Sequence, residues 1–288
     1  MSGFKIITDS ASDLPSSYLK QHDIGMVPFY ITADGNTYLR DKIEIDTDEF
    51  YKRQRERKQF FKTSLPSVQD YVDEFSKYGA DTDILCLCLS SGLSGSHQSA
   101  MNAANILKEE NPQRNIIAID SFTASLGYGM KVIEAVKCRE KGKTAEQAAN
   151  LLSKNWAEIA LAVDDLEYLL MGGRVSKVQA FAGGLLNIKP VIRMTGGKLV
   201  PHTKVRGRSK VMAALIQILD EGIGQDPSAY KLTVMHSDCH EDAEALRAQI
   251  EERYNKKGEV LMEPVGLVIG VHVGPAVLAV AYLKDTEI

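Results

Sequence analysis

Cysteine is scarce in this 288-residue chain, and so are tryptophan, unbroken apolar runs and any large excess of one charge. The four cysteines, Cys86, Cys88, Cys138 and Cys239, are too few and too scattered for a disulfide framework or a zinc site. Cys86 and Cys88 share one face of an apolar segment, where they act as small apolar side chains. A reducing, cytoplasmic compartment is the expectation. A formal net charge of −4 with dispersed basic residues removes the whole-protein electrostatic case for nucleic acid. Neither a Gly-x-Gly-x-x-Gly fingerprint nor a Walker loop occurs, so nucleotide binding has no motif behind it. No charged-then-apolar leader opens the chain; Phe4-Lys5-Ile6-Ile7-Thr8 reads as a strand almost at once. The apolar stretch from Val265 to Leu283 is broken by Gly266, Gly270, His272, Gly274 and Pro275, which favours short buried strands over a membrane helix. Stable membrane insertion is not expected, while a transient membrane contact stays open.

What is present is alternation. Strand patterns at 4–8, 24–32, 83–89 and 115–120 alternate with helical patterns at 13–22, 47–57, 67–78, 95–109, 125–141 and 144–155, the signature of an α/β unit with a mainly parallel, Rossmann-like sheet. Beyond Trp156 the texture changes. Glycine pairs at Gly172-Gly173, Gly183-Gly184 and Gly196-Gly197 punctuate the chain, and the last reads as a hairpin turn. Helices follow at 209–222 and 241–253, with strands at 231–236, 259–264, 266–272 and 276–283. We therefore expect two domains, 1–157 and a smaller α/β unit with a mixed sheet at 158–288, with a ligand between them.

The run Ser90-Ser91-Gly92-Leu93-Ser94-Gly95-Ser96 joins an apolar strand to a helix. Free N–H groups and hydroxyls there suit an anion, and serine caps on a tight turn account for the same residues without a ligand. Asp9-Ser10 and Asp120-Ser121 each follow a strand and read as caps at the sheet's carboxyl edge. Thr63-Ser64-Leu65-Pro66-Ser67 offers hydroxyls before a helix. Gly172-Gly173-Arg174 presents a guanidinium suited to carboxylate or phosphate. His272 sits in an apolar run just before the Gly274-Pro275 turn, where core packing is the plainer reading. Gly92-Leu93-Ser94-Gly95-Ser96 lacks the last glycine of a hydrolase elbow, yet a serine hydrolase acting on acyl esters through Ser94 and His272 remains as the alternative function. His236-Ser237-Asp238-Cys239-His240 reads as a strand end and a helix cap rather than a metal cluster.

Taken together, Thr63-Ser64-x-Pro66-Ser67, the 90–96 run, Gly172-Gly173-Arg174 and Gly270-x-His272-x-Gly274-Pro275 resemble the DegV family, the fatty-acid-binding subunits of bacterial fatty acid kinase. The likeness runs end to end, from Thr8-Asp9-Ser10 through Lys204-Val205-Arg206-Gly207-Arg208. Two positions depart from it: Ser96-His97 stands where threonine-tyrosine is common, which bears on the pocket rim, and Ala276 replaces a usual glycine, which bears on pocket depth.

The resemblance implies a protein, not itself an enzyme, that encloses one long-chain fatty acid such as palmitate, stearate or oleate in a buried apolar tunnel. It would present the carboxylate to a separate ATP-dependent fatty acid kinase catalytic subunit for acyl phosphate formation. Thr63, Ser94 and His272 would bind the carboxyl group, Arg174 would support them, and Ser64 and Ser91 stand next. Arg206 and Arg208 would dock the kinase. No metal or cofactor is implied. Candidate tunnel walls are Leu166, Leu169, Leu170, Phe181, Leu185, Leu186, Ile188 and Ile192, for all of which ordinary core is the plainer reading.

Overall fold

The structure is a computed structural model that describes residues 3–57, 59–164, 166–174 and 187–285. Gly183, Gly184, Phe181, Leu185 and Leu186 lie outside the described residues. The chain runs β1 (Lys5–Asp9), a 3-10 turn at Ser10–Ser12, α1 (Ser16–Gln21), β2 (Ile24–Val27), β3 (Tyr30–Thr32), β4 (Leu39–Arg40), α2 (Thr47–Arg57), β5 (Lys62–Ser64) and α3 (Val68–Phe75). It continues through β6 (Ile84–Cys88), α4 (Ser96–Glu110), β7 (Ile116–Asp120), α5 (Ser125–Glu140) and α6 (Ala145–Lys154). The second half contains β8 (Glu158–Ala162), α7 (Glu167–Gly172), β9 (Ile188–Thr195), β10 (Lys198–Arg206), α8 (Ser209–Ile223), β11 (Tyr230–His236), α9 (His240–Tyr254), β12 (Leu261–Pro264), α10 (Leu267–Val273) and β13 (Leu278–Lys284).

Four strands form a wholly parallel sheet in the order β2-β1-β6-β7. Both faces of β1 and β6 are buried, which is why they read as continuous apolar runs. Six strands build a mixed sheet in the order β10-β9-β8-β13-β11-β12, antiparallel except for β11 beside β12. The fold is therefore mixed α/β, as expected. One core cluster takes side chains from both halves, among them Leu87, Met130, Leu161 and Val277. A small antiparallel sheet, β4-β3-β5, carries Thr63.

Three local expectations are corrected. The 24–32 strand is two strands in different sheets, because Pro28 has no N–H to continue a ladder. The first helix begins at Ser16 rather than residue 13: Asp13 adopts a left-handed φ of 54°, and Pro15 takes the N-cap position. The segment at 266–272 is not a strand but helix α10, opened by extended Gly266 and stopped by Gly274 at φ 77°. A short run with no polar residue before His272 has no periodicity that separates the two states. Among the described residues no helix is long and apolar enough to cross a membrane.

Candidate functional site

A cavity of about 220 Å³ lies where the two large sheets, α10 and β5 converge. Sixteen of its twenty-two lining residues are apolar, including Leu89, Ile159, Leu161, Met194, Met235 and Val277. Its polar residues are Thr63, Ser64, Ser94, Ser125, Arg174 and His272. Four sequence motifs far apart in the chain thus meet at one chamber.

Thr63 is the middle residue of β5, paired with Ile31, and its Oγ1 is 2.9 Å from Nε2 of His272. α10 delivers His272 to that point in its last turn. Gly172 makes room for the ring: a Cβ there would stand 2.4 Å from His272 Nδ1. Burial, reinforced by the Arg174 charge, lowers the His272 pKa to about 4, so the imidazole is neutral at physiological pH. Its Nδ1 is buried and has no hydrogen-bond partner among the described residues. Arg174 is exposed at the rim, with Nη1 donating to Gly172 O at 2.7 Å and Nε to Leu93 O at 3.4 Å. These bonds tie the end of α7 to the serine–glycine loop.

That loop is built mainly from internal bonds. Ser90 Oγ donates to Gly197 O at 2.8 Å and accepts from Gly92 N–H, locking the loop onto the β9–β10 hairpin. Ser96 Oγ donates to Asp9 Oδ2 at 3.3 Å. Ser91 is exposed, does not line the cavity, and gives its N–H to the Asp120 carboxylate. Only Ser94 and Leu93 turn toward the chamber. Ser94 Oγ accepts from Ser96 N–H at 3.2 Å, so its hydroxyl hydrogen is left available for a ligand.

Asp9 is fully buried behind this loop and accepts from Leu89 N–H at 2.8 Å, Ala11 N–H at 3.2 Å and Ser96 Oγ. Burial raises its pKa to about 7, against the pull of those donors. It caps, as its position after a strand suggested. The Ser94–His272 pair does not form a hydrolase arrangement: Nε2 of His272 meets Thr63, and among the described residues no acid orients Nδ1.

Other candidates are placed as follows. None of Leu166, Leu169, Leu170, Ile188 and Ile192 lines the cavity; Leu169 and Ile192 belong to the core, their plainer reading, and Leu170 is exposed. Ser96, His97 and Ala276 are also absent from the lining, so neither departure itself forms part of the wall. Ala276 has φ 60°, which explains why a glycine would sit comfortably there. Arg208 is engaged internally, with Nε on Asp242 Oδ2 and Nη1 on Ala276 O, both at 2.7 Å. Arg206, at the end of edge strand β10, is exposed. Ser125 lines the cavity and was missed, since nothing about a serine at a helix start separates a wall residue from a cap.

Fold and cavity together define a two-domain α/β protein with an internal, largely apolar site. The chain belongs to the DegV family: the family model described as "Uncharacterised protein, DegV family" matches residues 3–285. A DegV domain-containing protein of Clostridium perfringens is 35% identical over 293 residues, covering 100% of this chain and 99% of that one. A protein of Thermotoga maritima named fatty acid-binding protein is 35% identical over 281 residues, 94% of each chain. The crystal structure of a stearic acid-binding protein from Eubacterium ventriosum superimposes with a TM-score of 0.89 at 32% identity, covering 98% of both chains.

Proposed function

We propose that this protein binds one long-chain fatty acid in the cavity, with the carboxylate at Thr63, Ser94 and His272 and with Arg174 and Ser64 at the rim. The observation that carries this reading is the Thr63–His272 pair at 2.9 Å, placed among the few polar groups of an otherwise apolar chamber. The fatty acid-binding relative and the stearic acid-binding structure support it. Each buried methylene contributes about 0.8 kcal/mol, so a chain of ~16 carbons supplies on the order of 12 kcal/mol gross before ordering costs. Affinity resides in the tail. A carboxylate removed from water needs donors or counter-charge, and the hydroxyls, a neutral imidazole N–H and the nearby guanidinium meet that need.

The protein catalyses nothing alone in this reading. It presents the carboxylate to a separate ATP-dependent kinase subunit, which forms the acyl phosphate. The division into lobes falls near residue 158, and exposed Arg206 on β10 serves the docking face while Arg208 braces it from within. Mass spectrometry of lipid released from protein purified without added ligand tests the binding step. One long-chain acid per chain is expected; a chain that stays empty and takes up neither palmitate nor oleate overturns the proposal. Acyl phosphate formation by the kinase only when this protein is added tests the second step.

A further inference from the structure

We infer that Asp13 is the positioning residue for His272: its carboxylate accepts from Ser125, at the start of α5, and packs against Gly266, the residue that opens α10. The inference rests on the head-group role proposed for His272.

Asp13 is 5% exposed and follows the Ser10–Ser12 turn in a left-handed conformation, which Asp and Asn adopt more readily than other side-chain-bearing residues. Here Ser125 Oγ donates to Asp13 Oδ2, and Ser125 is itself held at φ 49° on the cavity wall. Asp13 Oδ1 packs against the α10 start so closely that a Cβ on Gly266 would stand 2.2 Å away. Gly266 has an extended backbone, φ −69°, so glycine is required there for space and not for conformation. Burial pushes the Asp13 pKa up, while Lys42, Ser125 and the Gly266 backbone draw it back down.

The consequence is mechanical. α10 has seven residues, too few to hold a position by intrinsic stability, so its contacts set where it lies. It packs on the Ser10–Ser12 turn, α7, β3 and β5, and Tyr51 Oη donates to Val265 O at 2.9 Å just before it begins. His272 lies six residues beyond Gly266, about 9 Å along the axis. A displacement of the opening residue by a few tenths of an ångström is carried to the imidazole, and the bond to Thr63 leaves little room for error. Asp13 touches no ligand in this account; it acts through His272.

The test measures palmitate and hexadecan-1-ol affinity for Asp13→Asn and Gly266→Ala, each alone and combined with His272→Ala. It adds ¹⁵N NMR of the His272 ring in ligand-free protein. Asp13→Asn is expected to weaken palmitate about tenfold, the scale of one lost hydrogen bond to a charged group, and to leave hexadecanol within about twofold. It should add nothing in the His272→Ala background and should shift the His272 ring resonances. Gly266→Ala should follow the same pattern, which keeps the test decisive if one variant does not fold. Equal losses for both lipids, or a full additive loss without His272, make Asp13 merely structural and overturn the inference. Should the unaltered protein bind no palmitate, the head-group reading fails, and unshifted His272 resonances in the variants would then separately refute the positioning role.

Discussion

The serine–glycine loop at 90–96 and helix α10 both reach the same cavity, and they differ in how much of their polar capacity the protein itself consumes. In the loop, Ser90 is engaged by Gly197 and Gly92, Ser96 by Asp9, and only Ser94 faces the chamber. In α10, a single histidine among apolar neighbours keeps an Nδ1 with no partner among the described residues and meets Thr63 in the cavity lining. The richer motif is mainly scaffold; the sparse one holds the reactive contact. A run of hydroxyls satisfies turns and caps locally, whereas an imidazole in an apolar helix has no local partner and must find one across the fold.

This contrast is broken or sharpened most strongly at Asp9. Asp9→Ala strands the buried N–H groups of Leu89 and Ala11 and should cost about 3 kcal/mol or more by urea unfolding. Acid comes next. His272 has a pKa lowered to about 4 in the folded chain against 6.5 ordinarily, so between those pH values the unfolded chain binds more protons and stability falls as pH drops. Relative to His272→Gln, the unaltered protein should lose up to about 3 kcal/mol on going from pH 7 to pH 4. Asp9, raised to about 7 from 3.8, has the opposite sign: its contribution declines as pH rises through that window. Subtracting the His272→Gln profile therefore isolates the imidazole. Palmitate affinity should fall about ten- to a hundredfold in His272→Ala with little change in unfolding midpoint. Smallest is Ser90→Ala, which should lose about 1 kcal/mol of stability while palmitate binding stays within about twofold. A large affinity loss there would make the loop more than scaffold.

Much of the architecture was legible in the sequence. Runs such as Ile84–Cys88 are buried on both faces and show it, and Asp9 read correctly as a cap. The failures share a physical cause. Residues 266–272 look the same as strand or helix because nothing before His272 is polar, and β2 and β3 look continuous because only Pro28 marks the change of sheet. Thr63, Ser94, Arg174 and His272 do meet at one cavity, yet no local pattern shows a distance across 209 residues, such as that from Thr63 to His272. Nor could local pattern separate Ser94 from Ser91, since one hydroxyl faces inward and the other outward on the same loop. The cavity wall was not legible for a related reason: Leu169 and Ile192, for which ordinary core was the plainer reading, are as apolar as Leu161 and Met194, and only packing decides which set faces the chamber.

The most direct test of the central claim is the carboxyl ¹³C signal of [1-¹³C]palmitate bound to the protein, followed with pH and compared across variants. An ionised carboxylate held by donors is predicted: one bound resonance that resists protonation on acidification relative to free acid, moves in His272→Ala, and is unchanged in Ser90→Ala. A resonance that titrates like free palmitate and ignores His272→Ala would contradict the account.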